Sequence, residues 1–168
     1  NPSKLVVFIG VGFETTAPTV AASVIEAEEQ GLANYFVLAL HKLCPPIMRA
    51  ILDRGEVGIS GIICPGHVSA GIGSRPYGSI PERYKVACVV SGFEPVDILL
   101  AVSMLVNQIE TGDFKVEIAY RRGVKAEGNQ PALEIIDRVF EVCDADWRGI
   151  GVVAASGLRL KEAYRHFD

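Results

Sequence analysis

The residues of this chain best suited to chemistry stand at the ends of its apolar runs. Glu14, Thr15 and Thr16 follow the run Leu5-Val6-Val7-Phe8-Ile9, and His41 follows a run over residues 35–40. Cys64 and His67 follow residues 59–63, and Glu94 and Asp97 follow a run that ends at Val90. Carboxylates and imidazoles hold and move protons near neutral pH, and imidazoles and thiolates ligate metals. If the runs are strands of one sheet, four successive strand ends bring these groups to one rim. Glu14, His67 and Glu94 are then the candidates for lining a cleft and doing its acid–base work. The competing reading is local, because a carboxylate beside a helix start is favourable there with no ligand at all.

The first of these turns has the clearest design. Gly10-Val11-Gly12-Phe13-Glu14-Thr15-Thr16 links a strand to a helix opened by Ala17-Pro18. Its glycines permit a tight path, Thr15 or Thr16 can cap the helix, and Pro18 suits the first turn. Backbone N–H groups left free there would suit a phosphate, a carboxylate or a catalytic acid's own side chain. Gly12, Phe13, Thr15 and Thr16 are accordingly binding candidates, joined by Gly66, Ser69 and Asp97 at later turns. The alternative is a Rossmann-like nucleotide- or small-molecule-binding enzyme, since Gly10-x-Gly12 opens the dinucleotide fingerprint. Against it, Thr15 stands where the third glycine belongs, and the next run ends in His41-Lys42 instead of a ribose-binding acid. Glu14 would also oppose a pyrophosphate. His41, Cys64 and His67 are acceptable metal ligands, and Cys64-x-x-His67 is a plausible pair, but no second tight pair completes a site.

Composition narrows the classes. A chain of 168 residues with 49% hydrophobic content can bury a real core as a single domain. Its 16 basic and 20 acidic residues give a net charge of −4, and no basic run exceeds Arg121-Arg122, which argues against a nucleic-acid groove. The apolar run over 98–106 falls far short of the roughly 20 residues that span a bilayer. Four cysteines without a C-x-x-C pair fit a reducing, cytoplasmic setting, with Cys88 and Cys143 as small buried hydrophobes. A start at Asn1, with no methionine and no signal-peptide pattern, suggests a piece of a longer protein.

Positioning the rim requires alternating elements. Helices are expected over 17–30, from Pro45-Pro46 to Arg54-Gly55, over 96–110 and from Pro131 through Cys143. Strands are expected over 5–9, 35–40, 59–63, 84–90, 114–120 and 149–155, with a broken helix or functional loop over 71–83 and a short helix in the tail. This alternation predicts an α/β fold: a mainly parallel open sheet with helices on both faces, in a Rossmann-like three-layer order. Helix 96–110 is apolar nearly all round, so a second neighbour is expected to cover it.

Five blocks, in this order, carry a resemblance: Gly12-Phe13-Glu14-Thr15-Thr16, Pro65-Gly66-His67-Val68-Ser69, Gly92-Phe93-Glu94-Pro95-x-Asp97, Tyr120-Arg121-Arg122 with Gly128-Asn129, and Trp147-Arg148-Gly149-x-Gly151. Together they resemble the HypD family of hydrogenase maturation factors over nearly all of the chain. The resemblance implies a cytoplasmic scaffold on which the Fe(CN)2CO unit of [NiFe]-hydrogenase is assembled with HypC and HypE. It also implies iron-binding thiols in Cys-Gly-Gly-His and Cys-Pro-x-Cys blocks and a [4Fe-4S] cluster in a cysteine-rich region. None of those blocks occurs in these residues. The chain is thus expected to be the family's central α/β domain, without iron or cluster of its own, supplying one wall of the cleft.

Overall fold

The computed structural model describes residues 3–55 and 58–168. The chain divides into two compact units. The first runs to Ile47 and resumes at Pro131; the second is Met48–Gln130.

In the first unit β1 (Val6–Gly12) and β2 (Tyr35–His41) pair in parallel, joined by α1 (Ala17–Glu29). Val20, Ala21, Val24 and Ala27 recur at helical spacing and form the buried stripe of α1, packed with Val37 of β2. The antiparallel hairpin of β6 (Phe140–Trp147) and β7 (Gly151–Leu160) contributes Phe140, Leu158 and Leu160 to the same core. Phe167, in a terminal 3-10 turn, completes it. A bridge between Lys42 and Gly157 links the end of β2 to β7.

The boundary between the units falls inside α2 (Cys44–Asp53). The second unit holds the parallel sheet β3 (Gly61–Pro65), β4 (Ala87–Ser91) and β5 (Val116–Ile118), with β4 central. Every residue of β4 is buried because both of its faces are covered. Cys88 and Val90 face a core with Cys64, Tyr77, Ile80 and Val124, while Ala87 and Val89 face Ala101 and Leu105 of α5 (Pro95–Thr111). Between β3 and β4 the chain forms α3 (Gly66–Ile72), one 3-10 turn and α4 (Ser79–Tyr84), the broken helix that the glycines and prolines predict.

The α/β class and the predominance of parallel pairing stand, with helices on both faces of the second unit's sheet. Several boundaries differ from expectation, among them those of β1 (expected over 5–9), β3 (59–63) and β5 (114–120). Tyr84 closes α4, so the fourth strand starts only at Ala87, after Lys85 turns the chain through φ 55°. The helix from Pro131 is α6 (Gln130–Val139) and stops four residues before Cys143. Residues 140–147 form a strand, because the turn after Trp147, with Gly149 at φ 79° and Gly151 at φ 91°, folds them back onto β7. The last strand accordingly runs to Leu160 instead of stopping at Ala155.

Candidate functional site

Each unit carries its own constellation at the carboxyl ends of its parallel strands. In the first, Gly12 sits at φ 147°, and a Cβ there would overlap the Thr16 hydroxyl, so the turn demands glycine. Thr16 is the N-cap residue of α1, with proline in the first turn as expected. Its hydroxyl does not cap the helix; it donates to the Phe13 carbonyl at 3.2 Å. Thr15 is exposed. Phe13 stacks on Trp147 at 6.4 Å between ring centroids. Lys42 Nζ lies 5.9 Å from the centre of that indole and donates to the Asp146 carbonyl at 2.7 Å.

Glu14, by contrast, turns inward and is only 4% exposed. Its Oε1 accepts the Cys44 N–H at 2.7 Å, and Oε2 is buried without a partner among the described residues. Burial raises the pKa of Glu14, a tendency that hydrogen bonds from its own backbone and from Cys44 only partly oppose. The Cys44 thiol is pushed up to about 12, first by burial and then by the neighbouring carboxylate. His41 is buried against the edge of Phe140 at 5.6 Å, with neither ring nitrogen partnered among the described residues. Burial lowers its pKa.

In the second unit Gly66 starts α3, and a Cβ there would overlap the Ser91 carbonyl of the neighbouring strand. Close approach of this kind leaves His67 exposed at the strand ends, its ring 4.3 Å from that of Phe93. Ser69 is wholly buried, its hydroxyl donating to the Pro65 carbonyl at 2.8 Å, with the Tyr77 hydroxyl 3.2 Å away. Glu94 is the N-cap residue of α5, and Asp97 lies in the first turn of the helix. Arg122 grips Asp97 with both terminal nitrogens, at 2.7 and 2.6 Å, and reaches Glu94 at 3.1 Å. The same guanidinium lies 4.7 Å over the Tyr120 ring. Tyr120 in turn is seated where a Cβ at Gly92 or Gly123 would strike it. The hydrogen bonds from Arg122 hold the Asp97 carboxyl below its ordinary range.

The candidates thus fall into two groups. Gly12, Phe13, Glu14, Thr15 and Thr16 belong to the first unit, and Gly66, His67, Ser69, Glu94 and Asp97 to the second. Among them His67 and Glu94 are exposed, whereas the polar atoms of Ser69 and Asp97 are engaged within the protein. Cys64 is wholly buried in the second unit's core, so the Cys64-x-x-His67 spacing sets a buried thiol against an exposed imidazole. Among the described residues no group of three or more His, Cys, Asp or Glu is arranged to hold a metal ion, and no helix is long and apolar enough to cross a membrane. Arg122 is the member that the strand-end rule misses, because it follows an edge strand by four residues. Its signal is Tyr120-Arg121-Arg122-Gly123, an aromatic and a cation beside a glycine.

The model of the HypD family, described as "Hydrogenase formation hypA family", matches residues 1–168. The chain belongs to the HypD family. A hydrogenase expression/formation protein of Methanocaldococcus jannaschii is 46% identical over 165 residues, covering 98% of this chain and 46% of that protein. HupD of Azotobacter chroococcum, a hydrogenase expression/formation protein, is 44% identical over 174 residues, covering all of this chain and 46% of its own length. The hydrogenase maturation factor HypD of Rhodobacter capsulatus is 44% identical over 169 residues, covering all of this chain and 45% of its own length. The chain therefore spans a little under half the length of these HypD relatives. Both constellations lie inside the part it shares with them.

Proposed function

We propose that this chain serves hydrogenase maturation as one wall of the cleft in which the Fe(CN)2CO unit of [NiFe]-hydrogenase is assembled, in concert with HypC and HypE. The observation that carries this reading is His67, an exposed imidazole pinned against Phe93 on the unit where Arg122 holds Glu94 and Asp97. Iron is the cargo here, and the thiols that would ligate it are assigned to family segments other than these residues.

His67 has the chemistry to take a proton and return it, with its ring lying beside that of Phe93. Glu94 presents a carboxylate whose direction is set by Arg122. Glu14, in the first unit, is a different kind of acid, buried and biased by burial toward keeping its proton. Asp97 is a positioning residue, since both its oxygens are held by Arg122.

The test is His67→Ala in the full-length protein, with hydrogenase activity as the readout. Maturation should stop while thermal stability stays within about 0.5 kcal/mol of the parent, because the side chain is exposed. Retained binding to HypC would show that the lost function is chemical and not docking. Normal maturation by the variant would overturn the proposal.

A further inference from the structure

The hairpin of the first unit breaks its own register between Cys143 and Ala145. Ala145 pairs with Val153 and Cys143 with Gly157, so residues 154–156 of β7 stand opposite Asp144 alone. A bulge of this kind re-aims the side chains beside it. Within it Ala155 sits at φ 51°, a left-handed conformation that is costly for any residue but glycine. Hydrogen bonds on both sides hold it there. The Asp144 carboxylate accepts the Ala155 N–H at 2.9 Å, and the Ser156 carbonyl accepts the Leu43 N–H at 2.9 Å. Strain persists only where the surroundings hold it in place, and what it sets here is the direction of the next side chain.

That side chain is Ser156, wholly buried. Its hydroxyl accepts the Trp147 indole N–H at 2.8 Å and donates to the Val153 carbonyl at 2.8 Å, so both of its roles are used. The indole is thereby fixed at its polar edge, and its ring stacks on Phe13 with 28° between the planes. Phe13 is held by its backbone as well. Its carbonyl accepts the Thr16 N–H at 3.1 Å and the Thr16 hydroxyl at 3.2 Å. With the ring and the carbonyl of Phe13 both anchored, the next side chain, Glu14, is sent inward to the Cys44 N–H.

We propose that Ser156 and Trp147 are positioning residues for Glu14: the bulge aims the serine hydroxyl at the indole, the indole seats Phe13, and the seated Phe13 keeps the Glu14 carboxyl turned inward. Their effect passes through the turn between β1 and α1. The consequence for maturation rests on the reading of Glu14 as an acid of the cleft; the positioning itself does not.

The experiment uses the full-length protein carrying isotope-labelled glutamate, with the Glu14 carboxyl signal assigned by its loss in Glu14→Gln and followed by NMR through a pH titration. Phe13→Ala removes the seated ring at a half-exposed position, Phe13→Tyr keeps a ring there, and Ser156→Ala removes the acceptor of the indole N–H. In the parent the midpoint should stand above the ordinary glutamate value of 4.5. Phe13→Ala and Ser156→Ala should bring it down toward that value, because a released turn lets water reach the carboxyl, and Phe13→Tyr should leave it raised. A midpoint still raised in Phe13→Ala or in Ser156→Ala overturns the proposal, and so does one that falls equally in Phe13→Tyr. Should Ser156→Ala fail to fold, the two Phe13 variants still decide. Hydrogenase maturation, scored separately, should fall by about tenfold or more in Phe13→Ala and recover in Phe13→Tyr. A lowered midpoint with normal maturation supports the positioning and overturns instead the reading of Glu14 as an acid of the cleft.

Discussion

Two buried carboxylates, Glu14 in the turn after β1 of the first unit and Asp97 in the first turn of α5 in the second, have opposite chemistry. Glu14 is held by one backbone N–H and has a bare Oε2, so burial dominates and the proton is favoured. Asp97 has a guanidinium on both oxygens, so the anion is favoured. At Glu14 burial outweighs the hydrogen bonds, and at Asp97 the hydrogen bonds from Arg122 outweigh burial. One fold thus carries an acid biased to keep its proton and another fixed as a charge.

The harshest way to break this contrast is Gly92→Ala, which puts a methyl group onto the Asp97 carboxylate and the Tyr120 ring. Thermal unfolding should show a loss of about 3 kcal/mol or more. Next, Arg122→Met should make Asp97 resemble Glu14. An NMR titration of the Asp97 carboxyl should move from below the ordinary value to above it, and the midpoint of thermal unfolding should fall.

The pH dependence carries the same contrast with its sign. A depressed Asp97 contributes stability that is present above the unfolded aspartate value of about 3.9 and is lost as pH falls through its lower folded value. Arg122→Met should erase that acid limb. Glu14 acts inversely. With its folded pKa raised, stability declines as pH climbs above the ordinary glutamate value of 4.5 toward the folded one. Glu14→Gln should therefore flatten that limb and leave the chain about 1 kcal/mol more stable at neutral pH, measured by denaturant unfolding. The smallest effect belongs to His41, whose lowered folded pKa costs stability as pH drops below the ordinary histidine value of 6.5. His41→Phe should remove that slope, changing the unfolding free energy at pH 6, measured by denaturant unfolding, by less than about 1 kcal/mol.

Much of this was legible in the sequence, for identifiable reasons. Continuous apolar runs bounded by glycine and proline marked β1 to β4, and Gly12, Gly66 and Gly92 marked the sharp turns that carry the candidate residues. Periodicity failed at Phe140 and Cys143, whose spacing after Leu133 and Ile136 fits a helical face. Long-range pairing of Phe140 with Leu160 and of Cys143 with Gly157 overrode it, and only the glycines at 149 and 151 hinted at the hairpin. Whether a polar group is engaged was not readable either. Asp97 is satisfied by Arg122, 25 positions away, and no local pattern reports that.

The apolar excess of helix 96–110 has a structural counterpart in α5. One stripe of Asp97, Ala101, Leu105 and Gln108 is buried, while Val96 and Leu99 remain 73% and 69% exposed. Gln108 shows how the buried stripe tolerates a polar group, since its amide donates to Glu117 at 2.7 Å and accepts the Lys115 N–H at 3.2 Å.

The four cysteines make the folded chain a clock for its own opening. Cys64 and Cys88 are wholly buried side by side in the second unit, and the Cys64 proton is held first by its hydrogen bond to Cys88 and then by burial. Cys44 and Cys143 in the first unit, partly accessible, also have raised pKa values. Alkylation at neutral pH is slow at all four while the protein stays closed: at Cys44, Cys64 and Cys143 because only a thiolate reacts, and at Cys88, whose pKa the Cys64 hydrogen bond lowers, because the thiol is wholly buried. The order in which a thiol reagent marks them, read by mass, then ranks how often each unit breathes.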